Sequence, residues 1–226
     1  MNVLVTGSSH GLGAALALKF AREGCGVILH GRDGKALTLI SEEIESYGRP
    51  ALKVKGDIQK KKTIDRLYQA ARKMDINILI NNAGSYYRGP AVESLGKTLE
   101  SVIGTNLIAP IRLSLFVYQF FVAKGHGLIV NINSLAGKGF NDQEAIYSAS
   151  KWGLRGFMGS FKHEARKNGV YVLDVFLGAM RTGMSAEKAK FLNLINPDEA
   201  ASAIYRACID YRTANVNEIE IGRRQP

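Results

Sequence analysis

Three side chains in the second half of the chain could together move a proton. Tyr147 is followed four residues later by Lys151, and Ser134 lies thirteen residues before the tyrosine. In a helix, residues four apart stand on one face, so the Lys151 ammonium would lie one turn from the phenol. A nearby positive charge lowers a tyrosine pKa from its ordinary value of about 10 toward the neutral range that suits an acid–base catalyst. A serine hydroxyl beside the phenol could donate to a substrate oxygen.

A glycine-rich segment near residue 10 could bind phosphates. It follows an apolar run at 2–6 and leads into a helical pattern over Ala14–Arg22. Gly7 permits a tight turn, Gly11 lets the backbone approach a pyrophosphate, and Gly13 lets helix and sheet pack closely. The free N–H groups of the helix N-terminus favour anions. Either motif alone is weak, because Tyr-x-x-x-Lys is usually a surface pair and glycine clusters are usually turns. Together they predict a hydride-transfer enzyme.

The elements that must position these residues alternate along the chain. Apolar runs typical of strands occur at about 2–6, 26–30, 51–55, 76–80, 127–132, 170–176 and 216–221. Helical patterns lie between them, including 91–123, which is typical of one long helix or two abutting ones because Asn106 and Pro110 interrupt the pattern. Another begins at Asn196-Pro197. This alternation predicts an α/β fold with a doubly wound, mostly parallel seven-stranded sheet of Rossmann type and helices on both faces. No linker or repeat appears, so we expect one domain over 1–226.

Composition narrows the function classes. The chain has 226 residues, of which 46% are hydrophobic and 22% charged, as in soluble globular proteins. The apolar runs are shorter than a membrane span, and Asn2–Gly7 is typical of a first strand rather than a leader, which predicts a cytoplasmic protein. Cys25 and Cys208 are too isolated for a disulfide framework or a zinc site. The net charge of +10 is dispersed, so neither nucleic acid nor membrane is an expected partner.

The glycine spacing resembles the TGxxxGxG loop of the short-chain dehydrogenase/reductase family. Three residues separate Gly7 from Gly11, and one separates Gly11 from Gly13. The resemblance extends over nearly the whole chain, through landmarks in the family's order at Asp57, Asn81-Asn82-Ala83-Gly84, Asn106, Ser134, Tyr147, Lys151 and Gly178. It implies hydride transfer between a nicotinamide and a carbonyl or secondary alcohol. Leu177 stands where the family usually has proline, which loosens the backbone preference of that loop.

The resemblance also implies residue roles. The catalytic set is Asn106, Ser134, Tyr147 and Lys151, in which Lys151 also holds the nicotinamide ribose and Asn106 holds a water that links Lys151 to solvent. The cofactor-binding set is Gly7, Ser9, His10, Gly11, Leu12, Gly13, Arg32, Asp57, Ile58, Asn82, Ala83, Gly84, Tyr147, Lys151, Gly178, Met180 and Thr182. Within it, Asp57 hydrogen-bonds the adenine edge and Ile58 lies against the ring.

The end of the second strand favours NADP(H) over NAD(H). It reads Leu29-His30-Gly31-Arg32, and Gly31 occupies the position where NAD-dependent members of such folds hold a carboxylate for the ribose 2′-OH. Without that carboxylate a 2′-phosphate is not repelled, and the Arg32 guanidinium can bind it. His10 could add another donor.

The substrate stays open at this stage. The expected enzyme is an NADP-dependent carbonyl reductase or alcohol dehydrogenase acting on a small molecule, with reduction of a 3-oxoacyl group on a carrier protein as one candidate. The alternatives are an NADP-binding sensor without turnover, a sugar- or pterin-type reductase, and a sugar-nucleotide epimerase. The amphipathic segment 183–196 is a candidate lid. We expect a homodimer or homotetramer, by resemblance and because of apolar residues at Leu113, Phe116, Val117, Phe120 and Phe121.

Overall fold

A computed structural model describes residues 1–181, 194–211 and 216–223. Within them seven strands form one sheet: β1 Asn2–Val5, β2 Gly26–Gly31, β3 Ala51–Lys55, β4 Ile78–Asn81, β5 Gly127–Ser134, β6 Val170–Leu177 and β7 Glu218–Ile221. Their spatial order is β3-β2-β1-β4-β5-β6-β7, and every neighbouring pair is parallel. The predicted Rossmann-type fold is confirmed, with a fully parallel rather than mostly parallel sheet.

Helices cover both faces of the sheet. They are α1 Gly11–Arg22, α2 Gly34–Ser46, α3 Lys61–Lys73, α4 Lys97–Ile103, α5 Ala109–Lys124, α6 Ala145–Arg166 and α7 Pro197–Asp210. A buried apolar cluster lies on each face of the sheet. One packs under α1, α2 and α7, and the other packs under α3, α5 and α6. Because β1, β4 and β5 are buried on both faces, they read as continuous apolar runs instead of alternating ones.

The segment predicted over 91–123 as one long helix or two abutting ones begins later in the structure, at Lys97. Residues 91–94 form a separate 3-10 turn. Gly96, which has a positive φ of 75°, is the residue just before α4. A π turn at Gly104–Ile108 carries Asn106 and joins α4 to α5, and Pro110 follows this turn as the second residue of α5. Neither residue therefore breaks the helical path from Lys97 to Lys124.

This continuous segment meets the length and composition of a membrane-spanning helix, with a mean hydropathy of 1.4 over its most apolar window. Core helices of soluble proteins meet the same criteria. Leu113, Val117 and Phe121 belong to the core under α3, α5 and α6, so apolar residues of α5 pack inside the fold.

A polar row crosses the sheet beneath α5 and α6. Asn81, Asn131 and Asp174 are register partners on β4, β5 and β6. The Asn81 amide donates to Asn131 Oδ1 at 2.9 Å, and Asn131 Nδ2 donates to Asp174 Oδ1 at 3.3 Å. Burial, assisted by the charge of Glu218, raises the pKa of Asp174 to about 7, although the Asn131 hydrogen bond and the cations Lys162 and Arg155 oppose the shift.

Asp174→Asn is expected to stabilise the protein above neutral pH. Folding raises the pKa of this carboxyl from 3.8 to about 7. The folded protein therefore loses stability as pH rises from about 4 through 7, because it must then bury a charge. Asparagine keeps the oxygen that accepts from Asn131. At pH 8 the variant should gain on the order of 2–4 kcal/mol, at about 1.4 kcal/mol per pKa unit, and at pH 4 almost nothing.

Urea unfolding at the two pH values measures this difference. Asp65→Asn, which removes a carboxyl from an exposed pair with Lys61, is the control and should show no such pH-dependent gain. An Asp174→Asn variant that is no more stable than the wild type at pH 8 would show that Asp174 ionises at little cost.

Candidate active site

A cavity of about 930 Å³ opens at the carboxyl ends of the strands. Ligands of doubly wound sheets bind at this edge, where the strand order reverses between β1 and β4. The lining includes, of the residues predicted from the sequence, Gly7, Ser9, His10, Gly11, Leu12, Gly13, Arg32, Asp57, Ile58, Asn82, Ala83, Gly84, Ser134, Tyr147, Lys151, Gly178 and Met180. The topology therefore brings the glycine loop and the proton-transfer set to one cavity.

The glycine loop is shaped for close approach. Gly7 has φ +67°, and a Cβ there would lie 2.8 Å from the Cα of Ala83. A Cβ on Gly13 would collide with the carbonyl oxygen of Gly7, so only a residue without a side chain lets α1 pack this close to the loop. The helix starts at Gly11, and the side chain of its N-cap His10 forms no capping hydrogen bond within the described chain. The first-turn N–H groups can accordingly serve a phosphate.

Two side chains brace this loop. Asn82 Nδ2 donates to the carbonyl oxygens of Thr6 and Gly7 at 2.9 and 3.1 Å, so its amide holds the loop while its backbone lines the cavity. His30, which sequence reasoning did not select, accepts from Gly7 N through Nδ1 at 3.3 Å. Burial lowers the pKa of His30 to about 4, so the ring is neutral at physiological pH and its lone pair is available for this bond.

Basic side chains surround the end of β2. Arg32 is exposed and lines the cavity. Lys55 ends β3 as the register partner of Gly31, and Lys35 with Lys55 borders an adjoining hollow that Arg32 also lines. Neither lysine was predicted from the sequence, although the place of Lys55 at a strand end was a usable signal. The three cations could together hold a phosphate at this position.

The nearby carboxylate of Asp33 has another use. It caps α2 by accepting from the backbone N–H groups of Lys35 and Ala36, and these bonds hold the pKa of the carboxyl below its usual value. His10 Nε2 lies 3.2 Å from Asp33 Oδ2. The imidazole is thus directed to the α2 cap, which competes with the donor role expected for it.

Farther along the same edge, Asp57 and Ile58 follow β3. Asp57 Oδ1 accepts from Gln59 N at 3.0 Å, which fixes the carboxylate in a turn facing the cavity. Ile58 is 6% exposed and packs with the core under α3. A polar acceptor beside an apolar wall can bind the edge and the face of a flat heterocycle.

The proton-transfer set lies at the inner end of the cavity. Ser134 is the last residue of β5 instead of the residue after it, and Tyr147 and Lys151 lie in the first two turns of α6. Lys151 Nζ donates to the carbonyl oxygen of Ile132 at 2.9 Å and lies 5.8 Å from the centroid of the Tyr147 ring. Burial lowers the pKa of Lys151 to about 8.

The expected fall in the Tyr147 pKa does not appear. Burial raises the pKa of this phenol, a hydrogen bond with Ser134 lowers it, and the charge of Glu144 raises it further. Lys151, one turn away, donates to Ile132 O, and burial is the largest of the effects on the Tyr147 pKa. Tyr147 is therefore poised to hold its proton.

Asn106 is engaged through its side chain. Its Oδ1 accepts from Ser85 N at 2.7 Å, and its Nδ2 donates to Ser85 O at 2.8 Å and to Ser150 Oγ at 3.1 Å. Ser150 in turn donates to the carbonyl of Tyr147 at 2.6 Å. The side-chain amide thus ties the loop after β4 to α6.

The segment after β6 lines another side of the cavity. Gly178 N donates to Ile221 O at 3.0 Å, and Met180 forms a bridge with Ile195. Leu177, in the place of the family's proline, is held as the last residue of β6. Thr182 and most of the candidate lid lie outside the described residues.

Two further side chains, Tyr86 and Glu144, lie beside Tyr147 and were not predicted from the sequence. The Tyr86 hydroxyl donates to Glu144 Oε1 at 2.6 Å, and the Tyr86 ring packs edge-on against Tyr147 with 5.0 Å between centroids. Glu144 precedes Tyr147 by three residues, which was a usable signal. Its contact with Tyr86 joins residues 58 positions apart, so it could not be predicted from the sequence.

Comparisons with known proteins agree with this geometry. The family model described as short chain dehydrogenase matches residues 1–193. The ketoacyl reductase HetN of Nostoc sp. is 31% identical over 212 residues, covering 91% of this chain and 74% of that protein. A fatty acyl-CoA reductase of Acinetobacter baylyi is 29% identical over 212 residues, covering 91% and 72%.

Solved structures give the same result. A metagenomic short-chain oxidoreductase in complex with NADP superposes with a TM-score of 0.87 at 28% identity, covering 100% of this chain and 98% of the other. A short-chain dehydrogenase from Sphingobium yanoikuyae in complex with NADPH also has a TM-score of 0.87 at 28% identity, covering 98% and 87%. The fold is that of a Rossmann-type oxidoreductase. The chain belongs to the short-chain dehydrogenase family, as the sequence motifs predicted.

Proposed function

We propose that this protein reduces a carbonyl to an alcohol with NADPH. The observation that carries the proposal is the convergence of Ser134, Tyr147 and Lys151 at one end of a cavity whose other end is the glycine loop. The bare positions at Gly7 and Gly13 and the uncapped start of α1 fit a dinucleotide pyrophosphate. When bound, the dinucleotide would supply the hydride.

The side chains would do the rest of the chemistry. Ser134 donates a hydrogen bond to the carbonyl oxygen and holds it beside the phenol. The Tyr147 O–H bond breaks as the alcohol O–H forms, and the resulting phenolate recovers a proton from solvent. Lys151, whose ammonium lies one turn away, stabilises the phenolate while it exists. Asn106 keeps the loop after β4 in register with α6 and so keeps Tyr147 in place.

The preference for NADPH rests on charge at the end of β2. Arg32, Lys35 and Lys55 supply three cations against the two carboxylates of the same hollow, Asp33 and Glu42, and Asp33 is committed to the α2 cap. A 2′-phosphate would be attracted and a ribose 2′-OH would find no dedicated acceptor at Gly31. The NADP and NADPH named with two similar structures support the same choice.

The substrate class we favour is a 3-oxoacyl thioester or a related ketone, because one relative is a ketoacyl reductase and another a fatty acyl-CoA reductase. NADPH oxidation with a panel of simple ketones, diketones, sugars, pterins and 3-oxoacyl thioesters tests this. Turnover restricted to sugars or pterins would favour the alternative reductase class. Tight NADPH binding with no turnover of any carbonyl would instead identify a sensor.

We further propose one domain over 1–226, a cytoplasmic location and a homodimer or homotetramer. Support for the first is the single sheet, and for the second the two buried free cysteines, Cys25 and Cys208. For the homo-oligomer, the structure indicates partly different interface residues from those that the sequence suggested. Leu113, Val117 and Phe121 are buried in the core, whereas Leu115, Phe116 and Val122 are 36–41% exposed on the outer face of α5.

Light scattering at micromolar concentration should give two or four times the 24.7 kDa monomer mass. Phe116→Lys should lower that mass, because it places a charge on the apolar outer face of α5. Leu39→Lys is the matched control, since Leu39 is 68% exposed on α2 and away from that face. A wild-type protein with the monomer mass, or equal dissociation in both variants, would contradict the proposed interface.

A further inference from the structure

Glu144 is a buried carboxylate at the substrate side of the cavity, in a place that the proton-transfer set does not explain. It is 6% exposed. Its Oε1 accepts from the Tyr86 hydroxyl at 2.6 Å, and its Oε2 accepts from Asn141 Nδ2 at 2.8 Å. Glu144 is also the N-cap residue of α6, where the helix dipole favours negative charge. These contacts offset the desolvation that a buried carboxylate would otherwise suffer.

The same contacts reach the catalytic phenol. Tyr86 bridges Glu144 and Tyr147, because its hydroxyl binds the carboxylate while its ring stands at 80° to the Tyr147 ring. An edge-to-face pair of this kind restricts rotation of both rings. Glu144 and Tyr147 lie one turn apart at the start of α6, and the backbone carbonyl of Glu144 accepts from Ser148 N at 2.7 Å. The carboxylate, the bridging ring and the phenol therefore form one connected unit.

Charged and titratable groups from several elements face this unit. Lys151 approaches Tyr147 from within α6, and Ser134 from β5. Burial and the hydrogen bond with Glu144 raise the pKa of Tyr86, and Arg88, in the loop after β4, opposes the shift. Asp142 lines the cavity from the loop that precedes α6, and it is exposed. Among them the buried carboxylate of Glu144 is the charge that raises the pKa of Tyr147, in addition to burial.

We propose that Glu144 is a positioning residue that keeps Tyr147 protonated and correctly oriented, and so adapts the site to carbonyl reduction over alcohol oxidation. The inference rests on the proposed function, because it takes Tyr147 as the proton donor. Reduction begins with a phenol that gives up its proton, and oxidation begins with a phenolate that accepts one. A negative charge fixed beside the phenol opposes phenolate and therefore extends the pH range in which the reductive form is present.

Glu144→Gln tests this directly. The alkaline limb of the kcat/KM profile for carbonyl reduction should move about one pH unit lower, the order expected when a like charge is removed from beside an ionisable group. Asp142→Asn is the matched control, because it removes the same charge two residues away from an exposed side chain, and its limb should move much less. Glu144→Asp, which retains the charge, should return the limb toward the wild-type position.

A second readout needs no substrate. The phenolate absorbance of Tyr147 is the difference between each protein and its Tyr147→Phe counterpart, and this titration should also move to lower pH in Glu144→Gln. If the glutamine variant does not fold, Glu144→Met removes the charge with an apolar side chain of similar length, a replacement that buried ionic groups often tolerate.

The outcomes separate the two proposals. A wild-type protein that turns over no carbonyl overturns the proposed function, while the absorbance titration still decides the role of Glu144. An unchanged titration in the variants that lack the charge, or equal shifts in these and in Asp142→Asn, would overturn the role assigned to Glu144. A merely structural role would lower kcat at all pH values without moving the limb.

Discussion

Tyr147→Phe is expected to lower the turnover number for carbonyl reduction by at least ~10²-fold, the usual scale for loss of an acid–base group. The substitution removes the hydroxyl and keeps the ring, so the edge-on contact with Tyr86 is preserved. Dinucleotide affinity should change little, because the glycine loop and the cations at the end of β2 are untouched. Single-turnover NADPH oxidation and fluorescence titration of bound NADPH measure the two quantities separately.

Tyr87→Phe is the control for this experiment. It makes the same chemical change in the loop after β4, where the Tyr87 hydroxyl donates to Pro90 O at 3.1 Å. Its turnover should stay within a few-fold of wild type. Near-normal turnover in Tyr147→Phe would remove Tyr147 from the role of proton donor. Equal losses in the two variants would show that the loop, not the phenol, limits the reaction.

The sequence could predict the sheet because its signals are local. A parallel strand buried on both faces must be a short apolar run, and β5 and β6 are visible as such runs. The turn at Gly7 and the cap of α7 at Asn196 are equally local, since each needs one residue type at one position. The position of the dinucleotide cleft followed, because the strand ends at a reversal of strand order define it.

Other features depended on contacts that no spacing reveals. The i, i+4 relation between Tyr147 and Lys151 placed them on one helix face. It could not show that Lys151 donates to Ile132 O, or that burial is the main influence on the Tyr147 pKa. Asn106 does not line the cavity, and its bonds to Ser85 depend on a π turn, which has no clear sequence signature. Glu144 gained its meaning only from Tyr86, a residue brought near by tertiary folding.

Charge at the end of β2 sets the second large effect, the choice of cofactor. NADPH should be preferred over NADH by at least ~10-fold in kcat/KM, since hydrogen bonds to a charged group contribute about 1.5–3 kcal/mol and each 1.4 kcal/mol is tenfold. Arg32→Ala should weaken NADPH and leave NADH nearly unchanged. Arg49→Ala is the matched control, because it removes an exposed arginine just before β3, at the opposite end of that strand.

Reversal of the preference needs one change beyond those that the sequence suggests. Gly31→Asp with Arg32→Ala would repel the phosphate and offer an acceptor to a free ribose 2′-OH. However, a Cβ at Gly31 would lie 2.5 Å from Ser9 Oγ and 3.1 Å from Ser9 Cβ, so the new aspartate would be displaced or the glycine loop pushed away.

The triple variant Ser9→Gly, Gly31→Asp, Arg32→Ala removes that collision and should prefer NADH, while the double variant with Ser9 retained should bind both cofactors poorly. Steady-state kcat/KM with each cofactor for the wild type and these variants decides the matter. Equal use of both cofactors by the wild type, or an Arg32→Ala variant that loses both alike, would mean that Arg32 does not bind the phosphate. In that case Lys35 and Lys55, which border the same hollow, are the cations to replace next.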